Sequence, residues 1–159
     1  MQLVSPALNK VTTPIVPIFS GGGTRLSAHI GIIKALHDMD FSFDTLVGVS
    51  GGSIVASLYA SGRSVEDMRE LALATDFKQF TEFSVVRLLR EGGLSSGDVF
   101  QKWIDMQLNG AVFDDLPLDL NILATDVNGG GPVLFNKKTS PQMKVSEAVR
   151  YSMSIPLIF

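Results

Sequence analysis

The sequence has no cysteine and only two histidines, His29 and His37. Disulfides and thiolate metal sites are excluded, two well-separated imidazoles do not make a zinc site, and no metal is expected. Charge is also sparse: Asp, Glu, Lys and Arg make up 18% of the chain, 13 basic against 16 acidic residues, for a net charge of −3. Without a basic run the electrostatic footprint of a nucleic-acid binder is missing, so nucleic acid is not an expected partner. No apolar stretch reaches the roughly 20 residues of a membrane span. The N-terminal "MQLVSPALNKVTTPIVPIF" lacks a basic region followed by a long apolar core, so no cleaved signal is expected. These absences lead to the expectation of a soluble, cytoplasmic protein, with secretion by a route without a cleaved signal still compatible.

Apolar residues are plentiful, at 45% of 159 residues. That length supports one domain with a real core, and the apolar content suits a sheet buried on both faces, as in parallel α/β folds. Residues 1–13 read as a polar lead and 14–159 as the domain, with no repeat, low-complexity tract or linker. Nothing in the pattern sets an oligomeric state.

"PIVPIF" (14–19) reads as a first strand, broken at "SGGGTR" before a helix pattern through Ala28, Ile32, Ile33, Ala35 and Leu36; "FDTLVGVS" reads as the next strand. A strand-helix-strand crossover places both loop ends at the carboxyl edge of the sheet, so Gly21, Gly22 and Gly23 should neighbour Ser50. Helices follow over "SVEDMRELALATDF", with Ser64 as N-cap, "TEFSVVRLLREGG" and "SSGDVFQKWIDMQLNG". "LDLNILATDVNGGGPVLFN" reads as a hairpin turning at Asn128 to Gly131, and "KVSEAVRYSMS" as a last helix before "IPLIF".

In "LVGVSGGSIVASLYASG" a short apolar strand passes through Ser50 into a helix pattern, the context that a Gly-x-Ser-x-Gly nucleophile elbow requires. A serine at so tight a turn is strained, and its neighbours have little room for side chains. Gly48 and Gly52 permit close approach, and Gly51 exposes an N–H beside the serine oxygen. An anion forming there meets the positive end of a helix. "SGGGTRLSAHIG" also follows a strand and opens a helix, but Leu26 breaks the dinucleotide spacing and the Walker lysine-serine pair is missing. Consecutive glycines at a helix start make a nest of N–H groups suited to an oxyanion.

In order, "GGGTR", "AHIGIIKAL", "GVSGGS", "ATDVNGG" and "SEAVRYSMSIPLIF" resemble the patatin-like phospholipase family. The resemblance covers nearly everything from Pro14 onward. It implies a single-domain α/β fold with a mainly parallel sheet flanked by helices, and hydrolysis of a phospholipid or related acyl-lipid ester without metal or organic cofactor. Ser50 would be the nucleophile of a serine-aspartate dyad, Gly21, Gly22 and Gly23 would form the oxyanion hole, and Arg25 would be the loop's basic residue. Arg25 suits a substrate phosphate and a nearby carboxylate equally. Two departures stand out. Leu26 replaces a usual glycine, and the family's Asp-Gly-Gly or Asp-Gly-Ala motif follows the "SIPLIF" segment, whereas this sequence holds no Asp-Gly pair. The aspartate is therefore expected beyond residue 159, in a domain read as cut short there, and hydrolysis without it should be very weak.

Asp126 is the obvious substitute base but sits where an aspartate ordinarily caps a turn. His29 reads as a satisfied structural histidine, His37 as a polar surface residue, and Trp103 as core. Phe77, Phe80, Phe83, Val85, Val86, Leu88 and Leu89 suit a helix covering the sheet, with transient membrane-surface contact as the alternative. Two rival readings remain. A malonyl-transacylase-like acyltransferase needs a histidine after the serine, and both histidines precede Ser50. A non-catalytic lipid-binding or regulatory protein would keep the pocket and lack the base.

Overall fold

The structure is a computed structural model, and it describes residues 15–21, Arg25, 27–76 and 96–154. Along these residues run β1 (Ile18–Phe19), α1 (Ser27–Asp38), β2 (Thr45–Val49), α2 (Gly51–Ala60), α3 (Val65–Ala74), α4 (Ser96–Gln107), β3 (Asp119–Asp126), β4 (Gly131–Phe135) and α5 (Val145–Met153). The strands form one sheet in the order β1-β2-β3-β4. β1 pairs with β2 in parallel, as β2 does with β3, from Thr45 opposite Asp119 to Val49 opposite Leu123. β4 returns antiparallel as a hairpin that closes at Asp126 opposite Gly131. The mixed, mostly parallel α/β architecture expected from the apolar runs is what forms.

The first strand is shorter than "PIVPIF" suggests. Pro17 has no N–H to give to a ladder, and it contributes only its carbonyl, which accepts from Val47 N–H at 3.0 Å. Pairing is regular only at Ile18 and Phe19, with Ile18 left exposed on the edge. The helix expected over "TEFSVVRLLREGG" lies outside the described residues, as does the apolar set from Phe77 to Leu89.

The core lies between the sheet and the helices α2 and α5. Leu46 and Gly48 of β2 and Leu120, Ile122 and Ala124 of β3 are buried, alternating with half-exposed neighbours as one covered face requires. α2 is buried at every position except Tyr59. Its small residues let it lie deep, and the two hydroxyls this buries are satisfied locally: Ser53 Oγ donates to Ser50 O at 2.6 Å and Ser57 Oγ to Ile54 O at 2.9 Å. α3 begins as expected, with Ser64 Oγ accepting from Asp67 N–H at 3.0 Å. α4 stops where Asn109 and Gly110 take positive φ (53° and 70°) and Gly110 N–H closes on Asp105 O at 2.9 Å.

α5 is fixed by packing and by polar ties to α4. Val145, Ala148 and Val149 are fully buried. Arg150 meets Asp98 at 2.7 Å, Lys144 meets Asp105 at 2.9 Å, and Ser146 Oγ donates to Asp105 at 2.8 Å. The Lys144 ammonium, bonded to the Asp105 carboxylate, holds that carboxyl below the usual carboxylate range, with Ser146 adding to the effect.

Candidate active site

Ser50 stands between the last residue of β2 and the first of α2, with φ 51° and ψ −130°. A side-chain-bearing residue rarely adopts this conformation, which costs about 1–3 kcal/mol and persists only where surrounding structure enforces it. The enforcement is visible on three sides. A methyl group at Gly48 would stand 2.6 Å from Ser53 Cα and 2.9 Å from Ala56 Cβ, so that glycine lets α2 fold back on β2. A methyl at Gly52 would overlap the Phe19 carbonyl and stand 2.6 Å from Ser20 O. Gly52 thus serves the approach of α2 to the end of β1, a contact the sequence reading assigned only in general terms. On the third side, a methyl at Gly21 would lie 3.2 Å from Ser50 Cβ and 3.5 Å from Ser50 Oγ. The glycine loop and the serine are neighbours, as the crossover topology requires.

Backbone donors at the turn are partly committed. Ser53 N–H donates to Ser50 O at 2.8 Å, and Ser50 N–H donates to Ser152 Oγ at 2.7 Å. The first N–H groups of a helix have no intrahelical partner, and those of Gly51 and Gly52 have no partner among the described residues. Gly22 and Gly23 lie outside the described residues; Arg25 is exposed.

Other residues singled out from sequence make local contacts. Asp126 Oδ1 accepts from Asn128 N–H at 2.9 Å, which caps the turn of the β3-β4 hairpin. His29 Nε2 is 3.0 Å from Ser20 O. A carbonyl only accepts, so Nε2 carries the proton, and the ring pins the residue that leads into the glycine loop. Its Nδ1 is buried without a hydrogen-bond partner among the described residues, so this histidine is only half satisfied. His37 is better engaged than a bare surface residue: Nε2 is 2.7 Å from Tyr59 Oη, and the two rings lie beside Phe43. Burial raises the Tyr59 phenol above its ordinary value. Trp103 packs against the core beside Phe100.

The sequence reading missed Ser152. Its only signal was the "SMS" that ends α5, which by itself carries no chemistry. At the carboxyl end of β3, Ala124, Val127, Val133, Phe135 and Tyr151, with Asp126 among the polar residues beside them, line a mainly apolar groove of about 390 Å³. Among the described residues no helix is long and apolar enough to cross a membrane, and no cluster of three His, Asp or Glu side chains offers a metal site.

The chain is similar to known proteins in sequence and in fold. The family model described as patatin-like phospholipase matches residues 18–159. The YqhO protein of Bacillus subtilis is 31% identical over 162 residues, covering 89% of this chain and 56% of its own length. The NTE family protein Rv1063c of Mycobacterium tuberculosis is 30% identical over 151 residues, covering 91% of this chain and 39% of that protein. Among solved structures, the type III effector protein ExoU superposes with a TM-score of 0.67 at 20% identity, covering 92% of this chain and 41% of that one. This chain spans about half the length, or less, of these relatives. With the model match running from β1 to the last residue, the chain belongs to the patatin-like phospholipase family.

Proposed function

We propose that the chain is a serine acyl hydrolase acting on phospholipids or related acyl lipids, with Ser50 as nucleophile. The observation that carries this reading is the strained Ser50 turn at the carboxyl edge of the sheet, with Gly21 packed directly against its side chain. Ser50 Oγ attacks the ester carbonyl carbon while its proton passes to a carboxylate base, which we assign to the aspartate of the family's Asp-Gly motif. The carbonyl oxygen becomes an oxyanion facing the N–H groups of Gly21, Gly22, Gly23 and Gly51. One such donor is worth about 2.7–4 kcal/mol of barrier in comparable sites. Collapse breaks the bond to the alcohol, which leaves with the proton; water then attacks the acyl-serine, freeing the fatty acid and restoring the hydroxyl.

The mainly apolar groove at the end of β3 has the size and polarity to seat an acyl chain. No step needs a metal or organic cofactor. The acyltransferase alternative loses ground, since His29 is engaged with Ser20 O and His37 with Tyr59.

Incubation with phospholipid vesicles tests the assignment. Fatty acid release is expected from protein that carries the Asp-Gly aspartate and should fall at least about a thousandfold in its Ser50→Ala variant, as when a covalent nucleophile is removed, while residues 1–159 alone should release it only very weakly. Release that survives the substitution would refute it.

A further inference from the structure

The strand register shows that a hydroxyl interrupts the sheet beside the elbow. In a parallel ladder, every second residue of one strand bonds to the two residues flanking its partner. Asp119, opposite Thr45, donates its N–H to Asp44 O at 2.8 Å, which fixes the phase of the β2-β3 ladder. Carried forward in steps of two, that phase passes through Asn121 to Leu123, opposite Val49. The next rung should therefore run from Ser50 N–H to Leu123 O. Ser152 stands in that place: its Oγ accepts from Ser50 N–H at 2.7 Å and donates to Leu123 O at 2.6 Å.

We propose that Ser152 is a positioning residue for the Ser50 reaction, its hydroxyl wedged into the last rung of the β2-β3 ladder so that the elbow stays open. This rests on the assignment of Ser50 as nucleophile. A direct rung would draw Ser50 N to about 2.9 Å from Leu123 O and pull the serine backbone toward β3. With an oxygen interposed, β2 ends at Val49 and Ser50 is free to hold φ 51° and ψ −130°. A hydroxyl has one proton to give and lone pairs to accept with, so the relay from Ser50 to Leu123 uses it in a single orientation. It also engages the Ser50 N–H, leaving Gly51 and the glycine loop to face an oxyanion. The hydroxyl is held from α5, whose buried face and ties to Asp98 and Asp105 keep it from drifting.

Ser152→Ala and Ser152→Thr separate positioning from mere support. Saturation kinetics with a fluorophosphonate probe give the maximal labelling rate of Ser50 and the probe's half-saturation concentration. The amide resonance of Ser50 and the melting temperature are followed alongside. In Ser152→Ala the direct rung can close, so the melting temperature should stay within a few degrees while the maximal rate falls about 10- to 100-fold, as displacement of a reacting atom by an ångström does. Half-saturation should be unchanged, and the Ser50 amide resonance should move. Ser152→Thr keeps an oxygen at the same place and should restore the rate to within about threefold of the original on the same geometric ground.

A Ser152→Ala chain that labels at the original rate would overturn the proposal. So would parallel losses of rate and melting temperature in both variants. Should the unsubstituted chain not label at all, as the lack of the Asp-Gly base allows, the amide resonance alone decides the wedge. A Ser50 resonance that does not move in Ser152→Ala overturns it, and one that moves and is restored by Thr supports it.

Discussion

Gly52→Ala is expected to cripple the protein twice, in stability and in reactivity. The added methyl would overlap the Phe19 carbonyl and lie 2.6 Å from Ser20 O. Both obstacles are backbone, and neither can turn aside as a side chain would. Phe19 is only 2% exposed and is paired with β2, so α2 and the end of β1 must separate. A cost of about 3 kcal/mol or more follows, at the upper end for overpacking. The loop that leads to Gly21 moves with Ser20, which should slow labelling of Ser50 by about a hundredfold through misplacement alone. Urea unfolding and probe kinetics measure the two effects, and original values of both would contradict the contact. Gly31 provides the control. It sits in α1 with nothing within 4 Å of the added atom, so Gly31→Ala should stabilise by about 0.5–1 kcal/mol.

Ser50→Gly should do the opposite to stability while removing all reactivity. The serine conformation costs about 1–3 kcal/mol that glycine does not incur. Glycine's greater freedom in the unfolded chain offsets about 0.4–1 kcal/mol of this. The net gain is about 1 kcal/mol, a rise in melting temperature of roughly 2–4 °C for a domain of this size. Ser50→Ala retains the strained backbone and loses only the hydroxyl, so its melting temperature should stay near that of the original chain. The gap between the two variants measures the strain stored at the turn. Equal melting temperatures would mean that the elbow is not strained.

The strand-turn-helix around Ser50 was legible because it is local. An apolar run, a glycine cluster and helical spacing follow one another within 46–62, and the handedness of the crossover then brought Gly21 beside the serine. The shortened β1 was half legible: Pro17 was in plain view, but only the pairing shows that its carbonyl is used while its missing N–H ends the ladder. Ser152 was not legible. Its bonds reach 102 residues to Ser50 and 29 to Leu123, and its meaning depends on which residues of β3 carry the ladder, a phase that sequence periodicity does not give. The same holds for Asn136, whose Nδ2 reaches Asn121 at 2.8 Å across the hairpin while its Oδ1 gathers the N–H groups of Lys138 and Thr139. His29 could be read as structural from its helix, yet its Ser20 partner and its unpartnered Nδ1 required coordinates.

The central claim is that Ser50 is an activated nucleophile, and fluorophosphonate labelling followed by intact mass tests it most directly. Protein that carries the Asp-Gly aspartate and its Ser50→Ala variant are exposed to the probe while folded, and the adducts are counted. One adduct is expected on the former and none on the variant. No adduct on that folded protein, or an adduct that persists without the Ser50 hydroxyl, would contradict the assignment.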